Sequence, residues 1–130
     1  MTRSIKEILQ GRAVVSVVPA TTVREAAGLM AAVRIGALPI VQAGRLVGIF
    51  SERDALVRVV ACGLDPGRVT VEQVMTVDPV TIDARRPFKH ALRMMVDGGF
   101  RHVPVIEGGS VVGIVSARDA LEPDAEGTGT

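Results

Sequence analysis

The sequence predicts a mixed α+β fold assembled from two β-α-β-β-α halves, and three observations carry that prediction. The ten residues Val47-Gly48-Ile49-Phe50-Ser51-Glu52-Arg53-Asp54-Ala55-Leu56 recur as Val112-Gly113-Ile114-Val115-Ser116-Ala117-Arg118-Asp119-Ala120-Leu121, with all but two positions identical. The same 65-residue offset aligns Val15 with Val80, Ala26 with Ala91, Met30 with Met95, Pro39 with Pro104 and Gly44 with Gly109, so the chain contains a duplication. Within each copy, short β-branched runs alternate with stretches whose apolar residues recur at helical spacing. A length of 130 residues suits one compact core or two small halves sharing one.

Each copy opens on a β-branched run, Val14 to Val18 and Val80 to Ile82, which reads as a strand. Val23, Ala26, Ala27 and Met30 then fall on one helical face, as do Phe88, Ala91, Leu92 and Met95. Thr22-Val23-Arg24-Glu25 offers the first helix a capping box, in which hydroxyl and carboxylate each satisfy an N–H that the helix start leaves unpaired. Pro87 suits the first turn of the second. Two apolar runs flanking a turn follow in each copy: Leu38 to Val41 and Leu46 to Phe50 around Ala43-Gly44, then Val103 to Ile106 and Val111 to Val115 around Gly108-Gly109. These are hairpins. A second helix is expected from Ser51 and from Ser116, the latter cut short by Pro123.

Short helical lead-ins, Ile5 to Leu9 and Val71 to Met75, precede the copies, and Pro66-Gly67 punctuates the join. The resulting division is motif 1 over residues 5–62, a linker over 63–70, motif 2 over 71–122 and a disordered tail over 123–130, where no large apolar side chain occurs.

Composition excludes several classes of function. A net charge of +1 provides no broad attraction for nucleic acid or an anionic membrane, so anion recognition must be local. With three Phe and no Trp or Tyr, base stacking on aromatic platforms is almost ruled out, and the core must come from aliphatic side chains and Met. The lone Cys62 has no disulfide or thiolate partner, charges interrupt the N-terminal run as a signal-peptide core, and nowhere do 18 apolar residues occur in succession. A soluble, cytoplasmic chain is expected.

The chemistry concentrates in the repeated Gly-h-x-Ser-x-x-Asp pattern, Gly48 to Asp54 and Gly113 to Asp119, where h is hydrophobic. It places a strand end, a helix start, a hydroxyl and a carboxylate within one turn. Unpaired N–H groups at the helix start suit an anion. Ser51 and Ser116 can bond that anion or a sugar, and the paired oxygens of Asp54 and Asp119 can accept both hydroxyls of a ribose. The glycine admits a ligand or a neighbouring strand. Ser-x-x-Asp is also a near capping box, and on those four residues alone capping is the stronger reading.

The paired motifs, the preceding strands Leu38-Pro39-Ile40-Val41 and Val103-Pro104-Val105-Ile106, and the lead-in ending Val74-Met75-Thr76 resemble tandem cystathionine-β-synthase (CBS) motifs, the pair known as a Bateman module. The likeness runs from about Ile5 to Leu121. It implies two β-α-β-β-α motifs related by a pseudo-twofold, sheets packed together with helices outside, and adenosine-containing ligands in clefts between the motifs. It further implies that Asp54 and Asp119 bind ribose hydroxyls, that Ser51 and Ser116 lie at the ribose-phosphate, and that the backbone around Val15, Val17, Val80 and Ile82 lines a base pocket.

Before the Pro-containing strand the first copy has Gly36-Ala37 and the second Arg101-His102, which by the same resemblance are phosphate ligands of an unequal second cleft, the one expected to hold a phosphorylated nucleotide if only one cleft does; Arg53 and Arg118 are further candidates. The alternatives are solvated helix charges for Arg53 and Arg118 and a packed strand histidine for His102. His90, off the apolar stripe, is expected in solvent, Cys62 in packing, and Met30, Met94 and Met95 in the core.

The function expected is a stand-alone regulatory sensor of AMP, ADP or ATP, with NAD and S-adenosylmethionine as further ligands. It needs no cofactor, binds no metal, forms a homodimer, and either acts on a separate target protein in trans or changes its own dimer when the ligand binds. A homodimeric assembly module with empty clefts is the alternative. An enzyme is not expected, because no His or Cys recurs between the copies and no metal-ligand spacing occurs.

Overall fold

The computed structural model describes residues 3–121. The expected tail, 123–130, lies outside the described residues. In chain order the elements are α1 (Ile5–Leu9), α2 (Val23–Val33), β1 (Ala37–Gln42), β2 (Arg45–Ser51), α3 (Glu52–Asp54) running into a π-helical turn (Ala55–Val60), α4 (Val71–Val74), β3 (Thr76–Val77), β4 (Ile82–Asp83), α5 (Phe88–Gly98), β5 (His102–Glu107), β6 (Ser110–Ser116) and a 3-10 turn (Ala117–Leu121). Each half of this mixed α+β chain holds one three-stranded sheet, ordered β1-β2-β3 and β4-β5-β6.

The compact units and the sequence repeats divide the chain differently. One unit is Val14–Pro79, and the other takes the chain on either side of it. Each lead-in helix therefore packs with the hairpin of the other repeat, and the 63–70 segment lies inside the first unit.

In the Val14–Pro79 unit, β1 and β2 pair antiparallel from Ala37↔Ser51 to Gln42↔Arg45, and β3 adds to β2 through Gly48↔Val77 and Ile49↔Thr76. Leu38, Ile40 and Phe50 bury one sheet face against Val23, Ala26 and Met30 of α2, with Val59, Val71 and Val74 completing the core. The expected strand from Val14 to Val18 contracts to a single parallel bridge, Val17↔Ile40, because Val14 and Val18 both point into solvent, 53% and 57% exposed. At the hairpin turn Ala43 and Gly44 both have positive φ, 51° and 78°, the handedness that a two-residue connection between twisted strands requires.

The second unit repeats this plan with α1 in the place of α4. Ile5 and Ile8 join Ile82, Ala84, Phe88, Ala91, Met95, Val103, Val105 and Val115 in one core. Hydrogen bonds from the Ile5 and Lys6 N–H groups to the carbonyls of Arg86 (3.0 Å) and Ala84 (2.9 Å) fix α1 there. Ser4 and Thr70 cap α1 and α4 in the same manner, so the lead-ins correspond one residue out of the register that the rest of the repeat keeps. β4 runs parallel to β5, and the turn at Gly108 and Gly109 again has positive φ, 60° and 83°. The helix expected from Ser116 is a 3-10 turn over the described residues. His90 is exposed, as its position off the apolar stripe requires.

The capping box on α2 is fully formed: the Glu25 N–H donates to Thr22 Oγ1 at 3.1 Å, and Glu25 Oε1 accepts from the Thr22 N–H at 2.9 Å. That backbone donor first, and the Thr22 hydroxyl second, hold the Glu25 carboxyl below its ordinary 4.5. A carboxyl held low in the folded chain contributes stability above its unfolded pKa and loses it as pH falls through the folded value. Thr22→Ala should raise the Glu25 pKa part of the way back and destabilise the protein by about 1 kcal/mol. Carboxyl-resolved NMR titration and urea unfolding check both; an unmoved Glu25 would show that the box does not hold in solution.

Candidate functional site

Strand β2 turns into helix at Ser51, whose extended backbone (φ −118°, ψ 165°) makes it the N-cap of α3. Asp54 Oδ2 accepts from the Ser51 N–H at 2.9 Å and from its hydroxyl at 3.0 Å, and the Asp54 N–H donates to Ser51 Oγ at 3.2 Å. The Glu52 N–H donates to the Gly36 carbonyl at 2.9 Å, which locks the turn to the start of β1. The capping reading is thus realised in full, and it leaves Asp54 Oδ1 outside the box. Among the described residues Oδ1 makes no hydrogen bond and has the Arg58 Nε at 3.7 Å. Arg58 also donates to the carbonyls of Val74 (3.0 Å) and Met75 (3.2 Å), where α4 ends.

The second turn keeps the bond from the Ser N–H to the carboxylate but runs on as a 3-10 turn and has different company. Asp119 Oδ2 accepts from the Ser116 N–H at 2.8 Å, and the Ala117 N–H donates to the Arg101 carbonyl at 2.9 Å, the counterpart of Glu52 to Gly36. Asp119 Oδ1, however, accepts from the Arg12 guanidinium at 2.8 Å, and its carbonyl accepts from Arg3 at 2.9 Å. Asp119 is 5% exposed, the one buried charged residue among those described. A carboxylate this buried needs a charge partner or hydrogen bonds, and here it has both.

Arg53, Arg101 and Arg118 are exposed, and His102, half-buried, opens β5 opposite Ser116. Val15 and Val17 are half-buried; the Val17 N–H donates to the Pro39 carbonyl at 3.1 Å and its carbonyl accepts from Val41 at 2.9 Å. Val80 is 53% exposed, whereas Ile82 puts its side chain into the core, which leaves only its backbone to face a ligand. The structure therefore joins Ser51 to Asp54 and Ser116 to Asp119. It adds Arg3, Arg12 and Arg58, which sequence reasoning missed because none of them belongs to the repeated motif.

A shallow groove of about 470 Å³ beside α1, with Lys6, Leu9, Glu107 and Val112 in its lining, includes none of the motif residues. Among the described residues no cluster of His, Cys, Asp and Glu could hold a metal ion, and no helix is long and apolar enough to cross a membrane.

The family model for the CBS domain matches residues 5–61 and again 71–125. The chain belongs to the CBS-domain family. As a tandem CBS pair it is 33% identical over 116 residues to the CBS domain-containing protein YhcV of Bacillus subtilis, covering 89% of this chain and 81% of that one. It is 34% identical over 120 residues (92% of its length) to the CBS domain-containing protein CBSCBSPB3 of Arabidopsis thaliana, of which it spans only about a fifth, 21%. Among solved structures, the CBS domain protein PAE2072 from Pyrobaculum aerophilum, complexed with AMP, superposes with a TM-score of 0.83 at 31% identity, over 95% of this chain and 94% of that one.

The glycine of each CBS motif has a packing role in this fold. A Cβ on Gly48 would collide with the Met75 Sδ and stand 3.0 Å from the Thr76 carbonyl oxygen; on Gly113 it would meet Leu9 Cδ2 at 3.0 Å and Cδ1 at 3.1 Å. Both glycines lie where the end of a lead-in crosses the strand, so of the two uses open to them the close neighbour is the one realised. Gly48→Ala must push the Met75 side chain aside and crowds the Thr76 carbonyl, and should cost about 1–3 kcal/mol. Gly113→Ala crowds the Leu9 methyl groups and also puts a side chain at φ 158°, so it should be destabilising by a similar amount, about 1–3 kcal/mol. Urea unfolding of the two variants checks both, and unchanged stability in either would contradict the packing role.

Proposed function

We propose that this CBS pair is a regulatory module that binds adenosine-containing ligands. Asp54 and Asp119 take ribose hydroxyls, Ser51 and Ser116 stand at the ribose-phosphate, Arg101, His102, Arg53 and Arg118 serve the phosphates, and the backbone at Val15, Val17, Val80 and Ile82 borders the base. The observation that carries this reading is the recurrence, at the same strand-to-helix turn of both units, of a carboxylate held in place by a Ser N–H at 2.9 and 2.8 Å. A carboxylate with one oxygen anchored by backbone presents its other oxygen as a preorganised acceptor for a ribose hydroxyl. The AMP complex of PAE2072 supports the choice of adenosine compounds. Binding does its work through linkage, a ligand favouring one state of the module and so of a cytoplasmic target protein in trans, with no chemical turnover.

A second reading, a homodimeric assembly module without nucleotide, is favoured by the π-helical turn, where Leu56, Val57 and Val60 are 61%, 49% and 66% exposed. Thermal unfolding with AMP, ADP, ATP, NAD and S-adenosylmethionine separates the two. A ligand at 100 times its Kd adds about 2.7 kcal/mol, which for a chain of this size is a rise of several degrees in Tm. A dimer mass by light scattering with no shift from any adenosine compound would favour assembly instead.

A further inference from the structure

The free-standing oxygen of each Ser-x-x-Asp carboxylate meets a different cation. After α1 the chain turns at Gly11 (φ 80°), the Arg12 N–H returns to the Leu9 carbonyl at 2.9 Å, and the Arg12 guanidinium lands on Asp119 Oδ1 at 2.8 Å. After α4 the corresponding stretch, Thr76 to Asp78, is the short strand β3 and its exit and contains no cation. Asp54 meets only the longer Arg58 contact, 3.7 Å, made by a side chain that is also engaged on the Val74 and Met75 carbonyls.

We infer that Arg12 is an internal occupant of the second ribose position, a guanidinium that a sugar must displace from Asp119, so that the Asp54 motif fills first. The inference rests on the adenosine reading above. Guanidinium N–H groups and ribose hydroxyls are both donors, and they compete for the same carboxylate lone pairs. The charged donor makes the stronger hydrogen bond. The Asp119 side chain is 8% exposed, so its charge cannot be left bare when Arg12 leaves. The Arg12 side chain is 42% exposed, so it can swing into water once hydroxyl donors arrive. Arg12 thus sets a threshold at the second motif that the first does not have.

The test is calorimetric titration with adenosine and with AMP in an Asp54→Asn background, which weakens the first motif and leaves the second to be read. Adenosine carries no phosphate, so removing a cation cannot weaken it by removing a phosphate contact. Adding Arg12→Gln should tighten adenosine about tenfold, and adding Asp119→Asn as well should abolish the gain. Arg12→Lys, which keeps the charge and loses the planar fork, is the better-folded control and should give a smaller gain. Unchanged or weaker adenosine binding in both Arg12 variants, each still melting cooperatively, would overturn the role of Arg12 and leave the nucleotide reading intact. Binding of neither adenosine nor AMP by the wild-type chain and by every variant would overturn the nucleotide reading, and the role of Arg12 with it.

Discussion

The hydrogen bond from a Ser backbone N–H to the carboxylate three residues on is the constraint around which each half is arranged. It ends β2 at Ser51 and β6 at Ser116 and starts the following turn. The next N–H reaches back to the residue before the hairpin, Gly36 or Arg101, so the first and last residues of the β1-β2 and β5-β6 hairpins are closed on each other. Break the carboxylate contact and the strand end, the helix start and the hairpin closure lose a shared fastening. The sheet cores under them, Phe50 in one unit and Val115 in the other, are fully buried directly before these serines.

A helix cap and a ligand contact are usually weighed as rivals for such a motif. A carboxylate has two oxygens, and at Asp54 the cap consumes one of them. The cap fixes the side chain, and the remaining oxygen is what a ligand would meet. At Asp119 the backbone again takes one oxygen, and Arg12 takes the other. Duplication copied the turn, while the segments packed against it diverged, and the divergence rather than the motif distinguishes the two halves.

Most of the architecture was legible because it is local. The 65-residue repeat, the helical spacing from Val23 to Met30 and from Phe88 to Met95, and the Ala43-Gly44 and Gly108-Gly109 turns are signals within a few residues of one another, and α2, α5 and both hairpins stand where those signals put them. The illegible parts are long-range. That Ile5 and Ile8 belong in one core with Val103 and Val115 depends on contacts about a hundred residues apart, and nothing in Ile5-Lys6-Glu7-Ile8-Leu9 states which hairpin it will cover. The run Val14 to Val18 looks like a strand by composition, but Val17 alone finds a bridge partner there.

Within the candidate site the motif acids and hydroxyls were readable, and Arg12 was not, since a single basic residue after a short helix has no pattern to announce a partner at Asp119. The most direct test of the account is an NMR titration that follows the side-chain carboxyl carbons of Asp54 and Asp119 in the wild-type protein as adenosine is added. The Asp54 signal should move first, with Asp119 following at higher concentration. Asp119 moving first, or both moving together with one midpoint, would contradict it.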